Sequence, residues 1–325
     1  MKASICIPTV NRLAFFQEAL ESAASQTFED YEILVSVNST DPGYHERVAA
    51  VVESVNGRHP ARTIRTVRPP RFLHIADHTN FLVDQARGAY WCYLADDDRM
   101  EPQFLETLVG LLDAHDDAMF AFSDFLVIDG TGAIRPDLGA KFTRATHRDR
   151  IDEEYIPHSS LARLALWNAI WFPCCLFRRT LLQDFPFDSG NEAADRAFWL
   201  RLADSAVGLA AAYTPTRLLH YRLHSQQYTR VSSRGQSDLI RALESCYRVA
   251  KSEPHWHNRE LAYVYAKLGK ALLDEGDRSG AWQALRVALH KNAFDRRIHR
   301  FVLQTALPSA GLRHLRRLRE RARSH

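Results

Sequence analysis

Long apolar runs are missing from this 325-residue sequence, and without about 18 consecutive apolar residues an ordinary transmembrane helix is excluded. The N-terminal run from Ala3 to Val10 is short, contains Pro8 and is followed at once by Asn11-Arg12. It therefore lacks the apolar stretch and cleavage site of a secretory signal. Cysteine is sparse: Cys6, Cys92, Cys174, Cys175 and Cys246 are odd in number and share no repeated spacing, which argues against a disulfide framework or a zinc site. A reducing, cytoplasmic location is expected. No charge of one sign dominates either, since 42 Lys+Arg face 39 Asp+Glu for a net +3, too balanced for composition alone to support nucleic-acid binding, and no nucleic acid is expected as a partner. The 14 Gly and 13 Pro are not periodic, so collagen-like and low-complexity readings fall away. What is present, 46% hydrophobic and 25% charged residues, describes a soluble globular chain. It is longer than one compact core usually holds, so a large domain with an appendage is expected.

Ser4-Ile5-Cys6-Ile7 reads as a buried strand stopped by Pro8, and Leu13 to Gln26 has apolar residues at the three-and-four spacing of an amphipathic helix. Tyr31 to Val37 is a second strand, ended by the turn-rich Asn38 to Gly43. A helix from Tyr44 to Val55, a strand from Thr63 to Val67 and a helix from His78 to Arg87 follow, then a strand from Tyr90 to Leu94 that runs into Asp96-Asp97-Asp98. Alternating strands and helices predict a parallel sheet, whose ligand cleft lies at the carboxyl ends of its strands. The loops Pro8 to Arg12, Asn38 to Asp41 and Asp96 to Asp98 all fall there. Further on, the pattern predicts a helix over 102–115, a strand over 119–129, a hairpin turn at Asp129-Gly130-Thr131-Gly132, a polar loop or lid over 141–157, a strand over 171–178 and a helix over 193–209. From Gln236 onward the text is helical, and Leu261 to Asn292, broken at Gly276-Asp277, resembles one helix-turn-helix unit of a tetratricopeptide-like array. A single unit is too short for a free solenoid, so helices packed on the main domain are expected. The division expected is a domain over 1–235 and a helical region over 236–325.

Three consecutive aspartates after an apolar strand are either a solvated turn or a cation site. At a strand's carboxyl end their mutual repulsion is usually relieved by a divalent cation, and hard oxygen ligands favour Mg²⁺ or Mn²⁺ together with substrate phosphates. A diphosphate-bearing substrate is implied.

The stretches Ser4 to Arg12, Ser25 to Val35 and Ala86 to Asp98 resemble, in order, the signatures of family 2 glycosyltransferases. That resemblance implies a GT-A fold, an α/β Rossmann-like mixed sheet, over roughly residues 1–230. It also implies inverting transfer of a sugar from a nucleotide-diphosphate donor to an acceptor hydroxyl with Mg²⁺ or Mn²⁺. Carried over to these positions, Pro8, Thr9, Asn11 and Arg12 line the nucleotide sugar with Asn38 and Asn80, and Asp96 contacts ribose or sugar. Asp97 matches the last aspartate of the family's Asp-x-Asp metal motif, Asp98 is a second ligand, and His224 in Tyr221-Arg222-Leu223-His224 reaches metal or diphosphate. The sequence departs from the family at Ala95, where the motif's first aspartate is frequent, and at Val37, where relatives place a base-recognising aspartate. Base recognition is then left to Asn38, Asp41 or backbone groups.

Inverting transfer needs one general base. Asn191 to Ala203 resembles the family's acceptor-side helix, whose Glu-Asp start is Ala194-Asp195 here. Asp195 is the expected catalytic base, with Glu192 a substitute for the missing partner and Asp188 a weaker competitor. Arg222 and Arg230 either meet diphosphate charge or form a solvated loop, and Gln226 to Arg230 is a candidate flap over the donor. Trp167, Trp171 and Phe172 fit core packing better than sugar stacking, Cys174-Cys175 reads as strand packing, and His115-Asp116-Asp117 as a helix end. Two rival readings remain: a nucleotidyltransferase, which would need a Gly-rich basic loop after the first strand, and a non-catalytic binding protein on a decayed transferase scaffold.

The charge is unevenly placed. Residues 291–325 hold 10 Lys+Arg and 2 Asp+Glu, leaving 32 against 37 in the remainder. With Leu312, Leu315 and Leu318 on one side, the terminus reads either as a helix on an anionic membrane surface or as one docked on its neighbours. The first reading suits a glycan or lipid-linked acceptor.

Overall fold

The computed structural model describes residues 1–206, 208–224 and 232–306. The chain divides into two compact units, Met1–Tyr228 and Thr229–His325.

The first unit runs β1 (Ala3–Thr9), α1 (Leu13–Ala24), β2 (Tyr31–Val37), α2 (Pro42–Arg58), β3 (Thr63–Val67), α3 (Ile75–Gln85), β4 (Tyr90–Tyr93), β5 (Arg99–Met100), α4 (Phe104–Ala114), β6 (Ala118–Asp129), α5 (Pro136–Thr146), β7 (Tyr155–Ile156), α6 (His158–Trp167), β8 (Cys175–Arg178), α7 (Arg179–Asp184), α8 (Ala194–Asp204) and β9 (Ala210–Leu223). One sheet has the order β3-β2-β1-β4-β8-β6-β9-β5, with β7 paired to β9. Its first four strands are parallel, as the alternating pattern predicts. The sheet as a whole is mixed, because β8 inserts antiparallel between β4 and β6. Both β1 and β2 are buried at every residue, which is why they read as unbroken apolar runs rather than alternating ones.

Pro8 lies inside β1, opposite Ser36 of β2, instead of ending the strand. Cys6 O faces β4, where it accepts from Leu94 N at 3.0 Å, and Thr9 O faces β2. By alternation Pro8 faces β4, whose pairing with β1 has already stopped at Tyr93, so its missing N–H costs no ladder bond. The predicted loop over 141–157 is a second departure. Residues from Pro136 to Thr146 form α5, a 3₁₀ turn follows at Arg148–Arg150, and β7 closes the segment. Pro136 sits in the first turn of α5, where its ring is pre-set for a helix. Buried Arg148 then reaches Asp124 at 2.9 Å and the Ser123 carbonyl at 2.6 Å. The expected strand over 171–178 is likewise shorter, because Phe172–Cys174 is a 3₁₀ turn before β8, and the helix over 193–209 ends at Asp204. Trp171 packs against Phe125, Phe142 and Tyr221, and Phe172 against Trp91, Phe177 and Phe187, the core role expected of them.

A buried carboxylate staples the amino ends of the parallel strands. Glu32 on β2 accepts from Ser4 Oγ at 2.7 Å, from Arg87 N at 2.7 Å and from Arg65 Nε at 2.8 Å. Burial pushes its pKa up, but Arg65, Ser4 and the Arg87 amide outweigh that and hold it below the ordinary value. Ser4 Oγ also accepts from Gly88 N at 2.8 Å. Gly88 is pressed against β1.

The second unit contains α9 (Ser233–Ser245), α10 (Tyr247–Ser252), α11 (Pro254–Glu275), α12 (Arg278–Lys291) and α13 (Arg296–Ala306). Gly276, at φ +95°, ends α11, and Asp277 caps α12 by accepting from Gly280 N at 2.8 Å. These are the break and the helix pair expected over 261–292. Gly269 lets the pair approach closely, since a Cβ there would lie 2.9 Å from Leu285 Cγ and 3.0 Å from the Ala281 carbonyl.

At Gly88 a Cβ would fall 2.5 Å from the Ala3 carbonyl carbon and 2.7 Å from Ser4 N, both backbone atoms of a central strand. Gly88→Ala is expected to cost roughly 2–3 kcal/mol or more, measured as a lower midpoint in urea unfolding of the full chain.

Candidate active site

The carboxyl ends of β1, β2, β4 and β9 lie along one edge of the sheet, the first three by direct parallel pairing and β9 because it runs parallel to β6, which the antiparallel β8 sets in the same direction as β4. Beyond β1 the chain turns sharply at Asn11, whose φ of 55° is left-handed, a conformation asparagine tolerates better than most residues. That turn aims Arg12 across the sheet edge toward the end of β4. There Asp96, Asp97 and Asp98 are packed into a tight turn in which Asp98 N donates to the Ala95 carbonyl at 3.1 Å.

Each aspartate is held differently. Asp96, 1% exposed, accepts from Val10 N at 3.1 Å and lies 2.5 Å from Arg12 Nη2. Asp97 pairs through Oδ2 with Arg12 Nη1 and shares a 2.9 Å hydrogen bond with His224 Nε2 just past β9. Asp98 points inward and accepts from Arg222 N at 2.9 Å. Arg222 is wholly buried. Its Nε donates to the Asp97 carbonyl at 2.7 Å, its Nη2 donates to Glu18 Oε2 at 2.5 Å, and its guanidinium lies over Phe15. The ring of Phe15 also meets that of His224, 4.6 Å between centroids. One side chain of α1 thus packs against both Arg222 and His224 at the end of β9.

The crowding moves protonation equilibria. Burial first, then the Asp97 charge, raise the Asp96 pKa to about 7 in spite of the opposing pull of Arg12. Burial followed by repulsion from Asp97 also holds Asp98 well above the ordinary carboxylate value, against the Arg222 amide and charge. Arg12 shows the reverse balance: burial opposes its charge, but Asp96 and Asp97 outweigh this and raise its pKa.

Pro8 and Thr9 sit at the end of β1, and the Thr9 hydroxyl shares a hydrogen bond with Tyr44 OH. Tyr44 OH also accepts from Arg12 N at 3.2 Å, and Asn11 Oδ1 accepts from Ser39 Oγ at 3.2 Å. The two asparagines expected at the donor hold loop backbone in this structure. Asn38 donates to the Leu73 carbonyl at 2.8 Å and accepts from Leu73 N at 3.0 Å. Asn80 does the same to Phe187, at 2.9 Å each way. Both amides clamp backbone, each using one donor and one acceptor. The three expected metal ligands are placed differently. Among the described residues no three His, Cys, Asp or Glu side chains converge to hold a metal. Asp97 and His224 meet as a pair, while the Asp98 carboxyl is turned into the protein by the Arg222 amide.

Asp195 lies exposed in the first turn of α8 and makes no side-chain hydrogen bond or ion pair to a described residue. Its competitor Asp188 pairs with Arg201 at 2.8 Å. Arg222 belongs to the buried frame rather than a solvated loop, while Arg230 and the flap Gln226 to Arg230 lie outside the described residues. Tyr44, Phe15 and Glu18 escape the sequence reading. Phe15 alone left a signal there, an aromatic off the Leu13, Phe16, Ala19, Leu20 stripe that faces the core.

The model of the family described as Glycosyl transferase family 2 matches residues 4–185. An uncharacterized protein of Sinorhizobium fredii is 30% identical over 123 residues, 37% of this chain, which spans only 13% of that relative's length. A GalNAc(5)-diNAcBac-PP-undecaprenol beta-1,3-glucosyltransferase of Campylobacter jejuni is 24% identical over 284 residues, 83% of this chain and 84% of its own. In fold the chain is similar to S. aureus TarS 1-349 in complex with UDP-GlcNAc, with a TM-score of 0.61, 15% identity and coverage of 89% and 82%. It is also similar to mannosyltransferase PcManGT of Pyrobaculum calidifontis in complex with GDP-Man and Mn²⁺, with a TM-score of 0.58, 17% identity and coverage of 91% and 88%. The fold is that of GT-A glycosyltransferases, with a helical C-terminal part.

The Asp98 arrangement yields a test. Asp98→Asn keeps an acceptor for Arg222 N and should stay within about 1 kcal/mol of the parent, whereas Asp98→Ala orphans a buried N–H and should cost about 1–3 kcal/mol. Equilibrium urea unfolding of both variants checks it.

Proposed function

The chain belongs to glycosyl transferase family 2, and from that premise we propose that it catalyses inverting transfer of a sugar from a nucleotide-diphosphate donor to an acceptor hydroxyl. The observation that carries the reading is the meeting of Asp97, His224 and Arg12 at the carboxyl ends of parallel strands. Here one carboxylate, one imidazole and one guanidinium can share a diphosphate and its counter-ion. UDP-GlcNAc in the TarS complex and GDP-Man in the PcManGT complex support a nucleotide sugar as donor.

The residues present fit a divalent cation. Asp97 Oδ2 and His224 Nε2 meet at 2.9 Å at the sheet edge, so one oxygen and one nitrogen donor are close enough together to be shared by a single ion, the remaining positions being left to phosphate oxygens and water. Oxygen with imidazole nitrogen is a donor set that Mg²⁺ or Mn²⁺ accepts, and Mn²⁺ accompanies GDP-Man in PcManGT. Asp97 and His224 would hold the ion, which when bound offsets charge on the leaving diphosphate. Asp195 takes the proton from the acceptor hydroxyl. The oxygen so freed forms the new bond to the anomeric carbon from the face opposite the diphosphate, which departs with the electron pair of the broken C–O bond. Asn80 does not touch the donor in this reading. It ties α3 to Phe187, in the segment that leads to the Asp195 helix.

A lipid-linked or surface glycan acceptor, in polysaccharide or glycolipid synthesis, is the reading for the far side of the reaction. The undecaprenol-linked substrate in the name of the C. jejuni relative supports it. No helix among the described residues is long and apolar enough to cross a membrane. The basic helix expected around Leu312 to Arg323 lies outside the described residues, but α13 exposes Arg296, His299, Arg300 and Leu303 along one face, and Phe294 just before it is 94% exposed. That face supports peripheral contact with an anionic surface. Sedimentation with vesicles containing phosphatidylglycerol is expected to exceed that with neutral vesicles severalfold, and Arg296→Glu with Arg300→Glu should remove most of the difference.

The catalytic reading separates by site. Asp97→Ala should abolish Mn²⁺-dependent binding of UDP or GDP sugars, read by thermal shift, because ligand binding raises native-state stability by mass action. Asp195→Asn should keep that binding and lower transfer or donor hydrolysis by at least about 10²-fold. Unchanged turnover in Asp195→Asn would remove it as the base.

A further inference from the structure

Arg12 carries an inference that rests on the cation reading above and extends it. Its two terminal nitrogens are divided between neighbouring carboxylates, Nη2 on Asp96 and Nη1 on Asp97. The fork is not a surface ion pair. The Asp96 side chain is wholly buried, that of Asp97 is 11% exposed and that of Arg12 is 21% exposed. The atom Arg12 holds on Asp97, Oδ2, is also the atom that meets His224. A guanidinium and a divalent cation therefore claim the same carboxylate oxygen.

We propose that Arg12 is a built-in counter-cation of the donor-free site. It neutralises Asp96 and Asp97 so that the aspartate turn folds without metal, and it is exchanged for a divalent cation only when a nucleotide diphosphate arrives to receive the guanidinium. Three features make the exchange feasible. Arg12 is joined to the sheet by the left-handed Asn11 rather than by a strand. Its amide, anchored on Tyr44 OH, fixes the start of the side chain while the end remains at the rim. Its planar fork suits two phosphate oxygens as well as two carboxylates. Metal alone must then displace a cation with nowhere to go, whereas metal with diphosphate gives both cations a partner. The consequence is ordered, mutually dependent binding of metal and nucleotide.

The test measures Mn²⁺ binding by the loss of the free-ion electron paramagnetic resonance signal, in the full chain, with and without UDP or GDP. The parent protein should bind Mn²⁺ weakly alone and at least about tenfold more tightly with the nucleotide diphosphate. Arg12→Gln should bind Mn²⁺ alone about tenfold or more tightly than the parent, since one competing charge is gone from beside the carboxylates, and should lose most of the dependence on nucleotide. Arg12→Lys keeps the charge and should stay near the parent for Mn²⁺ alone, which guards against a general loosening of the loop in Arg12→Gln. Circular dichroism confirms that each variant is folded. Equal Mn²⁺ affinity in parent and Arg12→Gln overturns the proposal, as does an Arg12→Lys that behaves like Arg12→Gln. No Mn²⁺ binding in any variant also overturns it, and thermal stabilisation by a UDP or GDP sugar without metal would then show donor binding to stand independently.

Discussion

Three adjacent carboxylates at the end of a buried strand repel one another, and the architecture around them is an arrangement for making that burial tolerable. A carboxylate taken out of water costs several kcal/mol unless it is paired or gives up its charge, and both solutions are present. Asp97 keeps company with two cationic or protonatable groups, Arg12 and His224, while Asp98 is pushed toward its neutral form and satisfied by a backbone N–H. Asp96 stands between, pulled one way by Arg12 and the other by burial and its neighbour. Relief of one charge pattern by such different means leaves Asp97 as the carboxylate shared by groups from both β1 and β9.

The partners arrive from opposite ends of the first unit. Arg12 follows β1 directly, whereas Arg222 and His224 follow β9, brought to the same edge because β9 runs parallel to β6 and β6 lies antiparallel to β8 beside β4. The two ends are joined through α1, where Phe15 meets Arg222 of β9 and His224 just past it, and Glu18 pairs with the Arg222 guanidinium. The placing of Arg222 and His224 beside the aspartate turn therefore depends on packing between α1 and the end of β9.

Polar side chains near the sheet edge also hold backbone together. Asn38 and Asn80 each match one donor and one acceptor to a single residue of a facing loop, and Glu32 ties β1, β2, β3 and the approach to β4 at the other end of the sheet. An asparagine near a cleft and an asparagine holding the cleft's wall have the same letter. Only the location of the facing loop, far along the chain, distinguishes them.

What could be read from residues alone was whatever local order decides. The parallel half of the sheet followed from alternating apolar strands and amphipathic helices, the β2 limits from Tyr31 to Val37, the α11–α12 break from Gly276-Asp277, and the family from motifs that are contiguous in sequence. The side-chain roles did not follow in the same way. Pro8 inside a strand, the buried Arg148 turn, the inward turn of Asp98 and the clamping by Asn38 and Asn80 each depend on a group elsewhere in the chain, among them the end of β4, Asp124, Arg222, Leu73 and Phe187. Sequence by itself determined that an acidic turn would stand at the edge of a parallel sheet, since strand periodicity and turn chemistry are local. Which carboxylate faces the cleft, which faces the core and which cation stands beside them was decided only by tertiary structure, because burial and charge pairing are properties of the assembled neighbourhood.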